Sequence, residues 1–410
     1  MTVGGVDAAT AAAEHGTPLH LYDEAHLRAR CRELVAAFSG GAAYASKAFL
    51  CRAMARLAYE EGMSVDVASG GEMTVALAGG VPPASLVLHG NNKTVAELTD
   101  ALRLRLHRVV VDSWDEVTRI RRLVREEKLS APDALIRVNP AVQVATHAAV
   151  STGQADSKFG FSLASGEAAA AARELDAEPA FRLRGVHVHV GSQLQSLAAI
   201  HAGAVSAAAF ARSIAAEELS VGGGLGVALT RADRVPSIRE WSTAVAEAVA
   251  AAGFTGRVSA EPGRSVVATA GVTLYRIGTI KTVPSGRCYV SVDGGLSDNP
   301  RPALYGSVYE SFLVRSPDAG ADPLVADIVG KNCESGDTLV RQARLPRDVA
   351  VGDLLCVPVT GGYVHAMSSN YNKLTRPAVV FARSGRSRLV VRRETSADLL
   401  AADVFEPAAT

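Results

Sequence analysis

Lys47 is the side chain whose setting in this sequence most suggests chemistry. It follows residues 42–46, a small apolar run that predicts a short buried strand, and it precedes the apolar run 48–50. Burying an ammonium group is costly unless the group is paired or loses its proton. A lysine amine that loses its proton easily can form a Schiff base with a carbonyl group. The same position also suits an ordinary lysine that extends from a loop into solvent, so Lys47 alone leaves both interpretations open.

Three consecutive glycines, Gly222, Gly223 and Gly224, indicate where an anion could bind. Backbone N–H groups in such a run can approach a phosphate closely because no Cβ intervenes. A phosphate site together with a reactive lysine is what pyridoxal 5'-phosphate requires. Glu261 then has a specific task, since a carboxylate against the pyridine nitrogen keeps that nitrogen protonated and makes the ring a strong electron acceptor. His189 would stack on the ring, on the face opposite the substrate.

Metal chemistry is the alternative for the histidines. His187 and His189 are two residues apart, so on a strand they share one face and could hold a metal ion. Barrel hydrolases that use such a pair carry it on the first strand and add histidines from later strands. Here the pair lies on the sixth predicted strand, and His89 is the other histidine that ends a predicted strand. We therefore expect a site without a metal.

These side chains can meet only if the strands before them end at one edge of a sheet. Short β-like runs alternate with amphipathic helical runs through the first 270 or so residues, a pattern typical of repeated βα units. Eight such units match a (β/α)8 TIM barrel, whose active-site groups project from the carboxyl ends of the strands. No G-x-G-x-x-G opens the first helix, which disfavours a doubly wound sheet. The predicted strands are 42–46, 64–67, 85–89, 108–112, 134–138, 184–190, 219–221 and 257–260.

The pattern changes after about residue 272, where turns rather than helices separate the strand-like segments. This predicts an all-β C-terminal domain beside the barrel. The expected division is a barrel over residues 24–272 and a β-domain formed by residues 1–23 and 273–410. The strand near Leu19 has no βα partner and is expected to join the β-domain, whereas residues 1–16 resemble a loose lead-in. The segments are 272–283, 287–293, 324–329, 354–359, 378–383 and 387–392.

Composition narrows the class of protein further. The 410 residues carry no net charge, which argues against a general nucleic-acid-binding role. The five cysteines are few and scattered, so they do not form a disulfide framework. No signal peptide and no apolar window long enough for a membrane span is visible. We therefore expect a cytoplasmic enzyme for a small molecule, with neither a nucleic acid nor a membrane as a partner.

Eleven stretches, in order along the chain, carry a family resemblance. They are residues 44–48, 66–72, 89–93, 137–140, 157–161, 189–193, 222–224, 261–264, 301–305, 333–337 and Tyr363. Together they resemble the fold-type III, pyridoxal-phosphate-dependent decarboxylases, over nearly the whole chain. The resemblance implies an alanine-racemase-like barrel, pyridoxal phosphate as cofactor, and a homodimer with shared active sites.

The resemblance also implies a role for each matching residue. Lys47 would carry the cofactor, and Lys47, His189 and Cys333 would form the catalytic set. The other cofactor-binding residues would be Asp66, Arg137, His189, Ser192, Gly223, Gly224, Glu261, Gly263, Arg264 and Tyr363. The residues that bind the far end of the substrate would be Arg264, Arg301, Tyr305, Glu334 and Tyr363. In the family, Cys333 and Glu334 reach the active site from the second subunit, and Cys333 or a group it positions returns a proton to the substrate carbon.

The expected reaction is the decarboxylation of meso-2,6-diaminopimelate to L-lysine and CO2, because the residues expected at the far carboxylate are all present. A related decarboxylase of a secondary-metabolite pathway, acting on another amino acid, is the first alternative. An amino-acid racemase shares the barrel. Racemases of this fold place an arginine at the pyridine nitrogen, however, where this sequence has Glu261.

Overall fold

The structure, a computed structural model, describes residues 1–140, 157–315 and 322–405. The chain forms two compact units. We call them the barrel unit, Arg28–Ala228 with Ala232–Val266, and the sheet unit, Met1–Leu27 with Leu229–Arg231 and Val267–Thr410.

Strands and helices alternate in the barrel unit, whereas strands dominate the sheet unit. The strands of the described residues are β1 Thr2–Val3, β2 Val6–Asp7, β3 Leu19–Asp23, β4 Ala43–Ala45, β5 Ser64–Val67, β6 Leu86–Leu88, β7 Arg108–Val111, β8 Asp133–Asn139, β9 Phe161–Ser162, β10 Arg182–Val188, β11 Glu218–Ser220, β12 Arg257–Ser259, β13 Gly271–Thr282, β14 Cys288–Val292, β15 Phe312–Leu313, β16 Leu324–Val329, β17 Thr338–Leu345, β18 Leu354–Val357, β19 Ala378–Arg383 and β20 Arg386–Val391. The helices are α1 Ala8–His15, α2 Glu24–Ala37, α3 Arg52–Glu60, α4 Gly70–Ala78, α5 Val95–Leu104, α6 Trp114–Glu126, α7 Glu167–Ala177, α8 Ala198–Ser213, α9 Ile238–Ala251, α10 Arg264–Val267, α11 Arg301–Tyr305 and α12 Ser396–Leu400.

The barrel unit contains, in its described part, eight parallel strands in the order β4-β5-β6-β7-β8-β10-β11-β12. A parallel bridge between Ala42 and Ala260 joins the first strand to the last, with the Ala43 N–H donating to the Ala260 carbonyl at 2.8 Å. The predicted (β/α)8 barrel is therefore confirmed, and the ends of its eight strands lie within two residues of the predicted ones. Closure places the carboxyl ends of all eight strands at one mouth.

Local sequence explains where the barrel helices begin. Ser113 caps α6 by accepting a hydrogen bond from the Glu116 N–H, and Val117, Ile120 and Leu123 form the buried face of that helix. The side chains of Thr94 and Glu97 form a reciprocal capping box at the start of α5. Such caps fix the turn between each strand and its helix, and these turns carry the candidate functional residues.

The sheet unit is built around β13, a 12-residue strand. This strand pairs antiparallel with β14, β18 and β3, and β3 pairs in parallel with β19. The expectation that the strand near Leu19 joins this sheet is confirmed. Apolar side chains of the sheet form two buried clusters, one around Tyr275 and Val290 and the other around Leu21 and Val380.

Two features of the sheet unit differ from the sequence prediction. Residues 1–16 are not a loose lead-in, because they form β1, β2 and α1, with Ala8 and Ala11 buried against the second apolar cluster. The strand β17 was not predicted, although its alternating residues Leu339, Ala343 and Leu345 are buried. No helix in the described residues has both the length and the apolar character that a membrane span requires.

Candidate active site

Lys47 lies in a single 3₁₀ turn, Ser46–Ala48, that follows β4 directly. The neighbouring residues Ser46 and Ala48 are fully buried, whereas the Lys47 side chain is exposed. The sequence left open whether this amine is buried, and the structure shows an exposed side chain on a turn whose neighbouring residues are buried. Lys47 is nonetheless close enough for its charge to act on Asp66 and His189, so it belongs to the same mouth of the barrel.

Glu261 is the buried centre of this mouth. It follows β12, and its backbone N–H donates to the Gly222 carbonyl at 2.7 Å. The Ser220 hydroxyl donates to Glu261 Oε1 at 2.7 Å. The Nε2 atoms of His187 and His89 lie 3.0 and 3.2 Å from the other oxygen, Oε2. Three side chains from separate strand ends thus converge on one carboxylate.

These contacts determine the charge of the carboxylate. Burial alone would raise the pKa of Glu261, but His89 and His187 outweigh that effect and hold the pKa well below its ordinary value. Burial lowers the pKa of His187 to about 4, against the opposing pull of Glu261. At neutral pH, His187 is therefore a neutral imidazole beside an ionised Glu261.

Asp66, at the end of β5, and His89, just after β6, form the next part of the mouth. Both side chains are buried, and His89 Nε2 lies 3.8 Å from Asp66 Oδ1. Burial raises the pKa of Asp66, with His89 and Lys47 opposing the rise. Burial would lower the pKa of His89, but the carboxylates of Asp66 and Glu261 more than compensate and raise it.

Arg137 is buried near the end of β8. Its Nη1 lies 3.5 Å from Asp112 Oδ1, and its guanidinium lies 4.3 Å from the centre of the Phe159 ring. Burial lowers the pKa of Arg137, whereas Asp112, Glu261 and Asp66 act in the opposite direction. Arg137 is thus a buried cation whose charge is balanced by the carboxylates of Asp112, Glu261 and Asp66.

The glycine run after β11 lines the mouth with backbone. A Cβ added at Gly223 would lie 2.5 Å from the Glu261 carbonyl oxygen, and one at Gly224 would lie 2.6 Å from the Gly191 carbonyl oxygen. The Gly223 N–H donates to His189 Nδ1 at 3.2 Å, so the proton of the neutral His189 ring is on Nε2. Burial, with the charges of Lys47 and Arg137, holds the pKa of His189 well below its ordinary value.

The remaining predicted residues of the barrel unit adjoin this run. The Arg264 guanidinium donates to the Ser192 hydroxyl at 3.3 Å. Leu194 forms a parallel bridge with Leu225, which joins the loop after β10 to the loop after β11. A Cβ at Gly263 would lie 3.0 Å from the Ala45 carbonyl oxygen, at the strand that precedes Lys47. Ser192, Gly263 and Arg264 therefore share one end of the barrel with the glycines.

In the sheet unit, three predicted residues form a group of their own. Arg301 begins the short helix α11 and is buried. Its guanidinium carbon lies 5.1 Å from the centre of the Tyr305 ring and 5.8 Å from that of the Tyr363 ring. Tyr363 adopts a left-handed backbone with φ of 59° directly after Gly361 and Gly362. A guanidinium between two phenol rings is well suited to a carboxylate ligand.

Cys333 and Glu334 lie on an exposed loop of the same unit. The loop is anchored from below, because Asp337 accepts hydrogen bonds from the Asn332 N–H at 2.9 Å and the Leu296 N–H at 2.7 Å. The Cys333 N–H donates to Asn372 Oδ1 at 2.7 Å. The side chains of Cys333 and Glu334 are thus held at a surface by a fixed backbone.

The two histidines considered as an alternative metal pair make separate contacts. His187 contacts Glu261, whereas His189 accepts the Gly223 N–H. In the described residues, the group of His, Cys, Asp and Glu side chains close enough to share an ion is His89, His187 and Glu261, with ligand atoms within 4.8 Å of one another. The hydrogen bond between His187 and Glu261, with His89 at 3.2 Å from the same carboxylate oxygen, accounts for the same geometry.

A cradle of glycines beside an ionised, buried carboxylate fits pyridoxal phosphate on physical grounds. The phosphate needs backbone N–H groups that no side chain covers, and the pyridine nitrogen needs an anion that stays ionised. The barrel mouth supplies both, because Gly223 and Gly224 leave no room for a Cβ and Glu261 has a depressed pKa. These features define a barrel enzyme of the pyridoxal-phosphate class.

Comparison with known proteins identifies the family. Residues 24–268 match the family described as "Pyridoxal-dependent decarboxylase, pyridoxal binding domain". The chain is 42% identical to diaminopimelate decarboxylase of Mycobacterium tuberculosis over 98% of this chain and 94% of that one. The enzyme of the same name from Bacillus subtilis is also 42% identical, over 98% and 95% of the two chains. The chain therefore belongs to the pyridoxal-dependent decarboxylases, among relatives that are diaminopimelate decarboxylases.

A solved structure gives the same result for the whole chain. Diaminopimelate decarboxylase of M. jannaschii, in co-complex with L-lysine, superimposes with a TM-score of 0.91 at 30% sequence identity. The match covers 98% of this chain and 95% of that chain. The likeness thus extends over both units and is not confined to the barrel.

The contacts that sequence reasoning missed are those around Glu261. His89 belonged to a matching stretch but received no role, His187 was considered only as a metal ligand, and Ser220 was not singled out. The spacing of His187 from Glu261, 74 residues along the chain, carries no local pattern. The one available signal was that each of these residues lies in a predicted strand of the barrel.

Replacing Gly223 by alanine should weaken cofactor binding. The new Cβ would meet the Glu261 carbonyl at 2.5 Å and would displace either the cradle or Glu261. Overpacking of this kind costs about 1–3 kcal/mol, so we expect a loss of affinity for pyridoxal phosphate of about 10-fold or more. Fluorescence titration of the apoenzyme with pyridoxal phosphate measures this affinity.

The matched control is Gly278→Ala on the exposed part of β13, where the nearest atom is the Ser291 carbonyl oxygen at 3.9 Å. This control should bind the cofactor like the wild type. Equal affinities for Gly223→Ala and the wild type would show that the glycine cradle does not hold the phosphate.

Proposed function

We propose that this protein decarboxylates meso-2,6-diaminopimelate to L-lysine and CO2 with pyridoxal phosphate as cofactor. The observation that carries the decarboxylase assignment is the buried Glu261, kept ionised by histidines at the mouth of the barrel. The substrate assignment is supported by the near-full-length likeness to enzymes named diaminopimelate decarboxylase. A reducing compartment such as the cytoplasm suits the free cysteines of the described chain.

The residues at the barrel mouth divide into those for the phosphate and those for the ring. Gly223 and Gly224 offer backbone N–H groups to the phosphate, and the turn at Gly263 adds a second close approach of the backbone. Ser192 and Arg264, already hydrogen-bonded to each other, add a hydroxyl and a positive charge. Lys47 supplies the amine that attaches the cofactor to the chain.

Polar groups of opposite charge would hold the ring. When bound, pyridoxal phosphate supplies a protonated ring that accepts the electron pair left behind as CO2 departs. Glu261 would keep a proton on the ring nitrogen, because its own pKa is held well below its ordinary value. Neutral His189, whose Nδ1 is fixed by the Gly223 N–H, would lie against the ring face. Asp66 and Arg137 set the charge around this position.

The sheet unit provides groups for the substrate's far end. Arg301 presents a buried guanidinium between Tyr305 and Tyr363, which fits the second carboxylate of a dicarboxylic amino acid. The carboxylate of Glu334 suits the second ammonium group. A Cys333 thiol can return one proton to the carbon that has lost CO2, which completes the exchange of a carboxylate for a hydrogen.

We also propose that the enzyme works as a homodimer with shared active sites. Cys333 and Glu334 are exposed on a loop whose backbone is fixed by Asp337 and Asn372, as expected of side chains that serve another molecule. In this arrangement Cys333 of the partner subunit donates the proton at each site. The family resemblance of residues 333–337 supports the same assignment.

The proposed reaction predicts a substrate preference. Purified holoenzyme should release CO2 from meso-2,6-diaminopimelate and release little from lysine, ornithine, arginine or glutamate. Arg301→Ala should lower kcat/KM for diaminopimelate about 10- to 100-fold, since a charge-assisted hydrogen bond to a carboxylate is lost. A 14C-CO2 release assay over the five amino acids measures both.

Arg386→Ala, an exposed arginine of β20, is the matched control and should retain wild-type kinetics. Turnover of another amino acid without turnover of diaminopimelate would replace the proposed substrate. Inversion of the α-carbon without CO2 release would indicate a racemase instead.

The shared sites predict complementation between two inactive variants. Lys47→Ala and Cys333→Ala each remove one contributor, but a mixed dimer retains one site with both. Mixing the two after reversible dissociation should restore roughly a quarter of wild-type activity, because half of the dimers are mixed and each has one intact site. The rate of CO2 release by the mixture measures the restored activity.

The two variants kept apart serve as the control and should stay inactive. A mixture that forms dimers yet remains as inactive as its components would contradict the shared sites, since lysine and thiol would then belong to the same chain.

A further inference from the structure

His89 lies in a stretch that the sequence analysis singled out, and the proposed function uses it only as one of the histidines that keep Glu261 ionised. We propose that His89 is a positioning residue that orients and charges Glu261 for the cofactor ring, with His187 as its partner. The inference deepens the proposed function and rests on it for the role of Glu261. It assigns to His89 an effect on cofactor binding that acts entirely through another side chain.

The first argument is the geometry of the carboxylate. Ser220 donates to Oε1, and the two imidazoles meet at Oε2 from different strands, with ring centroids 4.9 Å apart and planes at 68°. Ser220 and His187 alone leave the carboxylate free to tilt about the line through their two contacts. His89, 3.2 Å from Oε2, removes that freedom, so Glu261 presents one orientation to a ligand.

The second argument is the balance of charge. Asp66 and Glu261 are two buried carboxylates, and His89 is the imidazole that faces both. The charged or titratable groups that act on His89 come from Asp66 on β5, Arg137 on β8 and Glu261 after β12, and the His187 ring lies against it from β10. Because the two carboxylates raise the pKa of His89, His89 can be protonated at a pH at which His187 stays neutral. A cation at this position favours the ionised form of Glu261.

The third argument is that the backbone around His89 is fixed. Its N–H donates to the Val67 carbonyl at 2.8 Å, which continues the pairing of β5 and β6. Four residues later, the Lys93 ammonium donates to the Gly90 and Val110 carbonyls and lies 2.7 Å from Glu116 in a buried ion pair. Lys93 thereby pins the segment that carries His89 to the next strand. A histidine held so firmly is suited to position its neighbour.

The test compares two variants of His89 for cofactor binding rather than for activity. His89→Leu removes both the donor and the charge, whereas His89→Gln keeps an N–H donor at a similar reach without the charge. His20, a buried histidine hydrogen-bonded to Thr273 in the sheet unit, provides matched controls in His20→Leu and His20→Gln. Each apoenzyme is titrated with pyridoxal phosphate across a pH series, and thermal unfolding reports whether it is folded.

We expect His89→Leu to bind pyridoxal phosphate about 10- to 100-fold more weakly, as the removal of an imidazole 3.2 Å from a buried carboxylate implies. His89→Gln should recover most of the affinity at neutral pH. In both variants the acid limb of the affinity profile should move to higher pH by about one unit or more, since Glu261 has lost a neighbouring cation. The His20 variants should keep the wild-type affinity and profile.

Wild-type affinity and an unmoved acid limb in His89→Leu would overturn the inference. Equal losses in the His89 and His20 variants would also overturn it, because they would reflect the removal of any buried imidazole. If His89→Leu does not fold, His89→Asn, whose amide is polar but too short to reach Glu261, takes its place with the same expected results. A wild-type apoenzyme that fails to bind pyridoxal phosphate would instead contradict the proposed function itself.

Discussion

The hydrogen bonds to the Glu261 carboxylate are the constraint on which the rest of the barrel mouth depends. A carboxylate buried this deeply would normally take up a proton, because burial penalises its charge. Ser220 and His187 hydrogen-bond to the carboxylate from two other strand ends, and His89 Nε2 lies 3.2 Å from it from a third. Together these contacts prevent protonation. The three side chains can reach one point only because the barrel closes between Ala42 and Ala260. The ionised state of Glu261 therefore depends on barrel closure.

Much of the fold was predictable because its signals are local. Strands such as Leu86–Leu88 are short apolar runs, and the helix starts after β6 and β7 carry caps at Thr94 and Ser113. The order of these runs indicated the barrel, and the barrel placed the strand-end residues at one mouth. Lys47 and Gly223 were located in this way from sequence alone.

Other parts depend on tertiary contacts that a sequence does not display. The helix α1 is short and alanine-rich, and it is stabilised by packing of Ala8 and Ala11 with the sheet unit's apolar core. The strand β17 contains Gln342 in a left-handed conformation with φ of 50°, so its alternating pattern is interrupted. The apolar neighbours of Lys47 did not decide whether it is buried, and one 3₁₀ turn leaves it exposed. The contact of His89 with Glu261 joins residues more than 170 positions apart.

The sheet unit holds its predicted side chains in a different way. Arg301 is buried, and its guanidinium carbon lies 5.1 and 5.8 Å from the centres of the Tyr305 and Tyr363 rings. The loop with Cys333 and Glu334 is exposed, and Asp337 anchors it by accepting hydrogen bonds from the Asn332 and Leu296 N–H groups. In the proposed function, the barrel unit would set the chemistry at the cofactor, and the sheet unit would discriminate between amino acids.

The central claim is that Glu261 stays ionised and keeps the cofactor nitrogen protonated. The most direct measurement is the 15N chemical shift of pyridoxal phosphate labelled at the ring nitrogen and bound to the wild-type enzyme, with Glu261→Gln for comparison. The account predicts the shift of a protonated pyridine at neutral pH in the wild type, and a large displacement towards the unprotonated value in the variant. An unprotonated nitrogen in the wild type at neutral pH would contradict it.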